Sequence, residues 1–300
     1  MLRLSALVMV LMTIMMSRDG KTQEMSSWEP DSRPPQLCVQ NFNAYGPIYA
    51  AKVRERTEQM LYAFRTRPMC DVIQLQEVWN ESQQSQLEAG LHDRYAVSSP
   101  NRDSRIGLMS FFMGEILEKS TEEFRLNSDG GILDSVRGVF GVKKAFHVVR
   151  VRFPHIDEEI YFLNMHLHPS SQEVRLAQIK QMAEWRRSHS DLKLIMTGDL
   201  NAEPDSLERK TLLTLLEVRD ALEDYVSSSR GLCTYCTGNP LGWSLTPKLF
   251  DYIFYSNKGK SDTHLEVLKV EINLRGPSWR RPLSDHYGLK AHWTLKKGAW

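Results

Sequence analysis

The chain of 300 residues is 41% hydrophobic and 25% charged, an ordinary globular composition with enough apolar content for one sizeable core. Its formal net charge is +1, and no long run of Lys or Arg occurs. That balance excludes the broad basic footprint of a high-affinity nucleic-acid binder, so no stable nucleic-acid partner is expected, although a weakly binding nuclease stays open.

The chain begins with Arg3, an apolar stretch from Leu4 to Met16, and the polar run Ser17-Arg18-Asp19-Gly20-Lys21. The stretch is shorter than the roughly 20 residues that span a bilayer but fits the apolar core of a secretory signal. Residues 1–17 are therefore expected to send the protein to a secreted or periplasmic location. Residues 18–35, with Pro30, Pro34 and Pro35, read as a flexible leader, and residues 36–300 as a single domain. Cys38 and Cys70 each lie near the start of a predicted strand and become neighbours if those strands pair. Cys233 and Cys236 read as a small surface disulfide or two free thiols, zinc being a weak reading without further ligands.

Along the remaining chain, strand-like and helical patterns alternate. Strands are predicted at Leu37–Gln40, Val72–Val78, Ile106–Met113, Ala145–Phe153, Ile160–Met165, Leu192–Met196, Phe250–Tyr255, Leu265–Ile272 and His286–Leu295. Helices are predicted at Pro47–Arg65 and at Gln172–Arg187, where Val174, Leu176, Ile179, Met182 and Trp185 recur at near-helical spacing. Many short strands with few helical crossovers point to an α/β fold of two stacked mixed sheets. Asn127 to Gly131 and Arg230 to Lys248 are irregular segments long enough to shape a pocket.

Polar residues gather where these strands stop. The apolar run Leu192–Met196 is followed by Thr197-Gly198-Asp199-Leu200-Asn201-Ala202-Glu203-Pro204. In extended chain Asp199 and Asn201 share one face, a geometry suited to a metal-assisted phosphate site; a strand followed by an Asx turn is the bland alternative. Glu77-Val78-Trp79, His166-Leu167-His168, Asp251 and Leu283-Ser284-Asp285-His286 likewise sit at strand ends, and Asn41 follows the first strand.

In chain order these residues resemble the endonuclease/exonuclease/phosphatase superfamily, and Asn41-Phe42-Asn43-Ala44-Tyr45-Gly46, Glu77-Val78-Trp79 and the His-x-His pair are most similar to its neutral sphingomyelinase branch. The resemblance implies a DNase I-like four-layer sandwich and a Mg²⁺-dependent phosphodiesterase, with Mn²⁺ as a substitute. Glu77 is implied as a metal ligand with Asn41 sharing the site. His286 is implied as the base that takes a proton from water, oriented by Asp251, while Asp285 adds to the metal and electrostatic environment. His166 is implied across the phosphate, as a donor to a phosphoryl oxygen or as an aid to the leaving group, with Asp199 and Asn201 placing water and phosphate. His168 stays open between a supporting and a structural role. Lys143 and Lys144 stand where neutral sphingomyelinases carry one lysine and a small residue, which leaves open which of them approaches the phosphate.

The expected partner is a phospholipid, sphingomyelin foremost, met at a membrane surface by a monomer. The alternatives are a DNase-like nuclease or another phosphoesterase of the superfamily, and a catalytically silent lipid-binding module. Trp243 and Trp279 precede Asp251 and Asp285 in loops expected near the mouth of the site, where they either touch the membrane or cap the sandwich.

Overall fold

A computed structural model describes residues 36–47, 49–66, 69–100, 105–128, 130–131, 142–191, 193–278 and 280–298. The proposed signal and leader, and Trp279, lie outside the described residues. The described residues belong to one compact unit.

Two six-stranded sheets carry the fold. In the first, β1 (Gln36–Asn43), β2 (Val72–Gln76), β3 (Ala96–Ser98), β4 (Met109–Phe112), β11 (Thr263–Asn273) and β12 (Gly288–Lys297) lie in the order β11-β12-β1-β2-β4-β3. The second comprises β5 (Glu115–Glu123), β6 (Ala145–Phe153), β7 (Glu158–His166), β8 (Lys193–Asp199), β9 (Arg219–Asp220) and β10 (Asp251–Ser256), ordered β5-β6-β7-β8-β10-β9. Each sheet has one parallel pair at its centre, β1 with β2 and β7 with β8, and antiparallel neighbours on both sides.

Parallel strands need a crossover, normally a helix. α1 (Val53–Thr66) joins β1 to β2 and α3 (Gln172–Ser188) joins β7 to β8, which are the two helices legible in the sequence. α2 (Glu81–Leu91), α4 (Leu207–Leu216) and the short α5 (Ala221–Tyr225) complete the described helices. Asn80 caps α2 by accepting from the backbone N–H groups of Ser82 and Gln83, and Ser171 caps α3 by accepting from that of Val174. Met60 and Phe64 of α1 and Leu87 and Leu91 of α2 pack with Phe42, Ile73, Leu75 and Phe111 of the first sheet. Ile179, Met182 and Trp185 of α3 cover the second, where the Trp185 ring meets Tyr161 at 5.5 Å. Between the sheets Phe112 meets Phe162 at 5.4 Å and Tyr255 meets Trp293 at 6.1 Å. Helix, sheet, sheet and helix thus form the four layers expected.

The interior is not apolar throughout. Gln76 Nε2 donates to Asn41 Oδ1 at 2.8 Å and, across the sheets, to Asn164 Oδ1 at 2.7 Å. Asn164 Nδ2 returns bonds to the carbonyls of Leu75 at 3.0 Å and Met109 at 3.1 Å, and Thr197 Oγ1 donates to Gln74 Oε1 at 2.9 Å. These buried polar groups bond one another across the sheets, although the Gln76 Oε1 is left without a partner.

His147 of β6 ties the sheet edges together, with Nε2 2.8 Å from Ser98 Oγ of β3 and Nδ1 2.7 Å from Thr121 Oγ1 of β5. Burial, reinforced by Lys119, pulls its imidazole down to about 4 from the ordinary 6.5. The unfolded chain takes up this proton near pH 6.5 and the folded chain only near 4, so stability falls as pH drops through that window, by on the order of 3 kcal/mol in all. His147→Gln, which cannot charge, should flatten the thermal midpoint between pH 6.5 and 4 relative to wild type. An unchanged acid slope would remove His147 as its source.

Candidate active site

The topology delivers the polar residues to one end of the sandwich. The carboxyl ends of both parallel pairs lie there, where α/β sheets place their ligands. β10 runs antiparallel to β8 with Asp251 opposite Asp199, so the first residue of one strand faces the last of the other. β12 runs antiparallel to β1, pairing Leu289 with Asn41, which brings the preceding Asp285 and His286 to the same rim.

Glu77 follows β2 with a left-handed backbone, φ 59°, that turns the chain out of the sheet. Its carbonyl accepts from the Gly46 N–H at 2.9 Å, and a Cβ on Gly46 would approach that oxygen to 2.5 Å. At the end of β8, Gly198 has φ 153° and lies so close to β7 that a Cβ would sit 2.0 Å from the Met165 carbonyl oxygen. Only glycine lets the parallel strands meet there and leaves Asp199 at the rim. Asp199 Oδ1 then accepts from the Asn201 N–H at 2.8 Å, and Asn201 has φ 51°. The Asx turn and the active-site geometry are therefore one feature, and Asn201 is held by its own Nδ2 donating to the Leu167 carbonyl at 3.2 Å.

Asp199 is the centre of the cluster. Its Oδ2 lies 3.6 Å from His166 Nε2 and 3.8 Å from His286 Nε2, and accepts from Asn43 Nδ2 at 3.1 Å. Glu77 Oε1 is 3.7 Å from His166 Nε2. Two donor sets, Glu77 with His166 and Asp199, and Asp199 with Asp251 and His286, have ligand atoms within 4.8 Å of one another and could hold a metal ion. The electrostatics fit a cation. Burial pushes the Glu77 carboxyl above its ordinary value, and burial raises Asp199 and Asp285 to about 6 each. Crowded buried acids of this kind are relieved by a bound positive charge.

His286 Nδ1 is 2.6 Å from Asp251 Oδ2. Burial lowers the imidazole, but Asp251, Asp285 and Asp199 outweigh it and hold it well above its ordinary value. The loop bearing Asp285 and His286 is clamped from two sides. Asn239 Nδ2 donates to the Ser284 and Asp285 carbonyls, both at 2.9 Å, and the buried Arg56 of α1 donates to the carbonyls of Ala44 at 3.1 Å and Leu283 at 2.8 Å.

The structure distinguishes between the lysines. Lys143 is paired with Glu123 at 2.8 Å, away from the cluster, whereas the buried Lys144 places Nζ 2.7 Å from His166 Nε2 and 5.4 Å from the Trp79 ring centroid. His168 accepts at Nδ1 from the Ser171 N–H at 3.0 Å and so shapes the turn into α3. Asn41 is one layer below the rim, its amide oxygen engaged by Gln76. The amide that reaches Asp199 is that of Asn43, two residues on and on the same strand face. Glu77, Lys144, His166, Asp199, Asn201, Asp285 and His286 line a cleft of about 1130 Å³ together with Tyr45, Trp79, Tyr235 and Trp243. Trp243 is 89% exposed, which rules out the buried-cap alternative for that residue.

A model of the endonuclease/exonuclease/phosphatase family matches residues 41–286, a span that begins and ends on residues of this constellation. The chain belongs to that family. It is a phosphoesterase of the endonuclease/exonuclease/phosphatase superfamily. Its fold is similar to that of an endonuclease/exonuclease/phosphatase family protein from Bacteroides thetaiotaomicron, with a TM-score of 0.66, 16% identity, and coverage of 88% of this chain and 98% of that one. Truncated TDP2 from Caenorhabditis elegans gives 0.66 at 19% identity, covering 86% and 97%. Sphingomyelinase C from Streptomyces griseocarneus gives 0.62 at 17% identity, covering 86% and 99%. No curated protein matches the sequence significantly.

Proposed function

We propose that the protein is a Mg²⁺-dependent phosphodiesterase that hydrolyses sphingomyelin to ceramide and phosphocholine at a membrane surface. The observation that carries the reaction class is the Asp251–His286 pair set against the Glu77, Asp199 and Asp285 carboxylates in one cleft. Glu77 and Asp199 offer the carboxylate oxygens Mg²⁺ prefers and would hold the ion, whose charge would offset that developing on the phosphoryl oxygens. His286 Nε2 takes the proton of the attacking water, while Nδ1–H donates to Asp251 and fixes the tautomer. His166 and Lys144 supply donors to the phosphoryl oxygens, and Asp199 and Asn201 orient water and phosphate. Asp285 stabilises the imidazolium.

The lipid half of the reading rests on the cleft mouth. Trp243 and Leu245 are 89% and 95% exposed on one loop, an apolar tip suited to a headgroup layer. The lack of a basic run agrees with a lipid rather than a nucleic acid. The disulfides Cys38–Cys70 and Cys233–Cys236 support export to an oxidising compartment.

The deciding assay sets release of phosphocholine from sphingomyelin vesicles against nicking of plasmid DNA, with Mg²⁺ and with EDTA. Release in Mg²⁺, abolished by EDTA and without nicking, is expected. Nicking without release would overturn the substrate and favour the nuclease alternative. Trp243→Ala should lower hydrolysis of vesicles by about tenfold, equivalent to about 1.4 kcal/mol of interfacial contact, and spare soluble p-nitrophenylphosphocholine. Its exposure predicts an unchanged melting midpoint. Equal loss on both substrates would take Trp243 away from the membrane.

A further inference from the structure

We propose that Tyr235 is a positioning residue that couples the Trp243 loop to the catalytic base. The proposal rests on the assignment of His286 as that base and of Trp243 as a membrane contact. The tyrosine ring meets the His286 ring at 4.9 Å with a tilt of 51°, and its hydroxyl accepts from the Trp243 N–H at 2.8 Å. One side chain therefore touches both the exposed lip and the reacting imidazole.

The backbone beneath it is anchored on every side. Tyr235 bridges Lys248 in antiparallel fashion, its N–H donating to the Lys248 carbonyl at 2.9 Å and its carbonyl accepting from the Lys248 N–H at 3.0 Å. Thr234 Oγ1 accepts from the N–H groups of Phe250 at 3.1 Å and Asp251 at 3.2 Å, and the Thr234 carbonyl accepts from the Tyr287 N–H at 2.7 Å. The Cys233–Cys236 disulfide brackets this dipeptide. Thr234 and Tyr235 are thereby fixed to the strand that supplies Asp251 and to the residue that follows His286.

A hydrogen bond at Nδ1 fixes one edge of the imidazole but leaves the ring free to tilt about it. Packing against Tyr235 removes that freedom and holds Nε2 toward the cleft, and small misplacements of a reacting group are costly in rate. The hydroxyl extends the same constraint to the loop, so that a loop seated on a lipid layer and a well-aimed base occur together.

The test compares Tyr235→Leu, Tyr235→Phe and the double variant Cys233→Ser/Cys236→Ser on p-nitrophenylphosphocholine and on sphingomyelin vesicles, with His286→Ala as control. Tyr235→Leu is expected to lower kcat on the soluble ester by roughly tenfold to a hundredfold with KM little changed. Tyr235→Phe, which keeps the ring, should restore most of that kcat but remain several-fold impaired on vesicles, because Trp243 loses its anchor. The double serine variant should fall between them.

A Tyr235→Leu protein with wild-type kcat, beside an inactive His286→Ala protein, overturns the coupling alone. Full turnover by His286→Ala overturns the base and the coupling with it. Equal losses for Leu and Phe on both substrates, with a lowered melting midpoint, mean that Tyr235 only supports the fold. If Tyr235→Leu does not fold, a Tyr235→Phe protein indistinguishable from wild type on vesicles overturns the proposal by itself.

Discussion

Glu77→Gln is expected to lower turnover in Mg²⁺ about a thousandfold, the several kcal/mol that a metal contributes to offsetting transition-state charge, and to leave the fold intact. The side chain is 17% exposed at the rim, and the left-handed turn beneath it is held by the Gly46 N–H, which is indifferent to the charge on the side chain. Removing this acid also relieves Asp285, whose carboxyl Glu77 helps to raise. The metal-free variant should thus melt no lower than the metal-free wild type. Mg²⁺ should raise the midpoint of the wild type, by the linkage between binding and stability, and not that of the variant. Undiminished activity in Glu77→Gln, or in wild type with excess EDTA, would remove the metal from the mechanism.

His286→Ala should reduce kcat by about 10² to 10⁴, the range of general-base contributions, while KM changes little. A base acts only when neutral, so wild-type activity should climb as pH rises through the His286 titration. In the metal-free protein the surrounding carboxylates favour the charged ring, and a bound cation would draw that titration back down. Residual activity of the alanine variant should lack this rise. A variant that alters KM alone, or keeps the same pH profile, would assign the proton to another group.

Much of this arrangement could be read in the sequence because a polar residue closing an apolar run has few structural uses. Glu77, His166, Asp199 and His286 each end or precede a strand, and the structure gathers all four. Depth along a strand was not legible. Asn41 and Asn43 share a face, and only the pairing of Asn43 with Gln76, the residue before Glu77, sets which one reaches the rim. The two lysines pose the mirror problem: adjacent residues point to opposite sides, and just before β6 Lys143 turns to Glu123 and Lys144 to His166. β5 was missed because Glu115 to Glu123 is a charged edge strand without alternation, its acids meeting Arg150 and Arg152 of β6. α2 and α4 bury mixed faces, Gln83 and Gln84 beside Leu87 and Leu91 in one and Glu208 and Arg209 beside Leu212 and Leu216 in the other. Gln74 and Gln76 meet Thr197 and Asn164 of the opposite sheet, partners that no pattern within β2 announces.

Those cross-sheet amides bear on mechanical alignment. The first sheet supplies Glu77, Asp285 and His286, and the second supplies His166, Asp199 and Asp251, so the reacting groups are correct only if two separate slabs do not slide. Apolar contact alone tolerates slip because it has no preferred direction. Hydrogen bonds do not, and the bonds from Gln76 to Asn164, Thr197 to Gln74 and Asn43 to Asp199 act as dowels placed directly beneath the chemistry. Precision at the phosphate is therefore shared with Gln74, Gln76, Asn164 and Thr197, which never meet it.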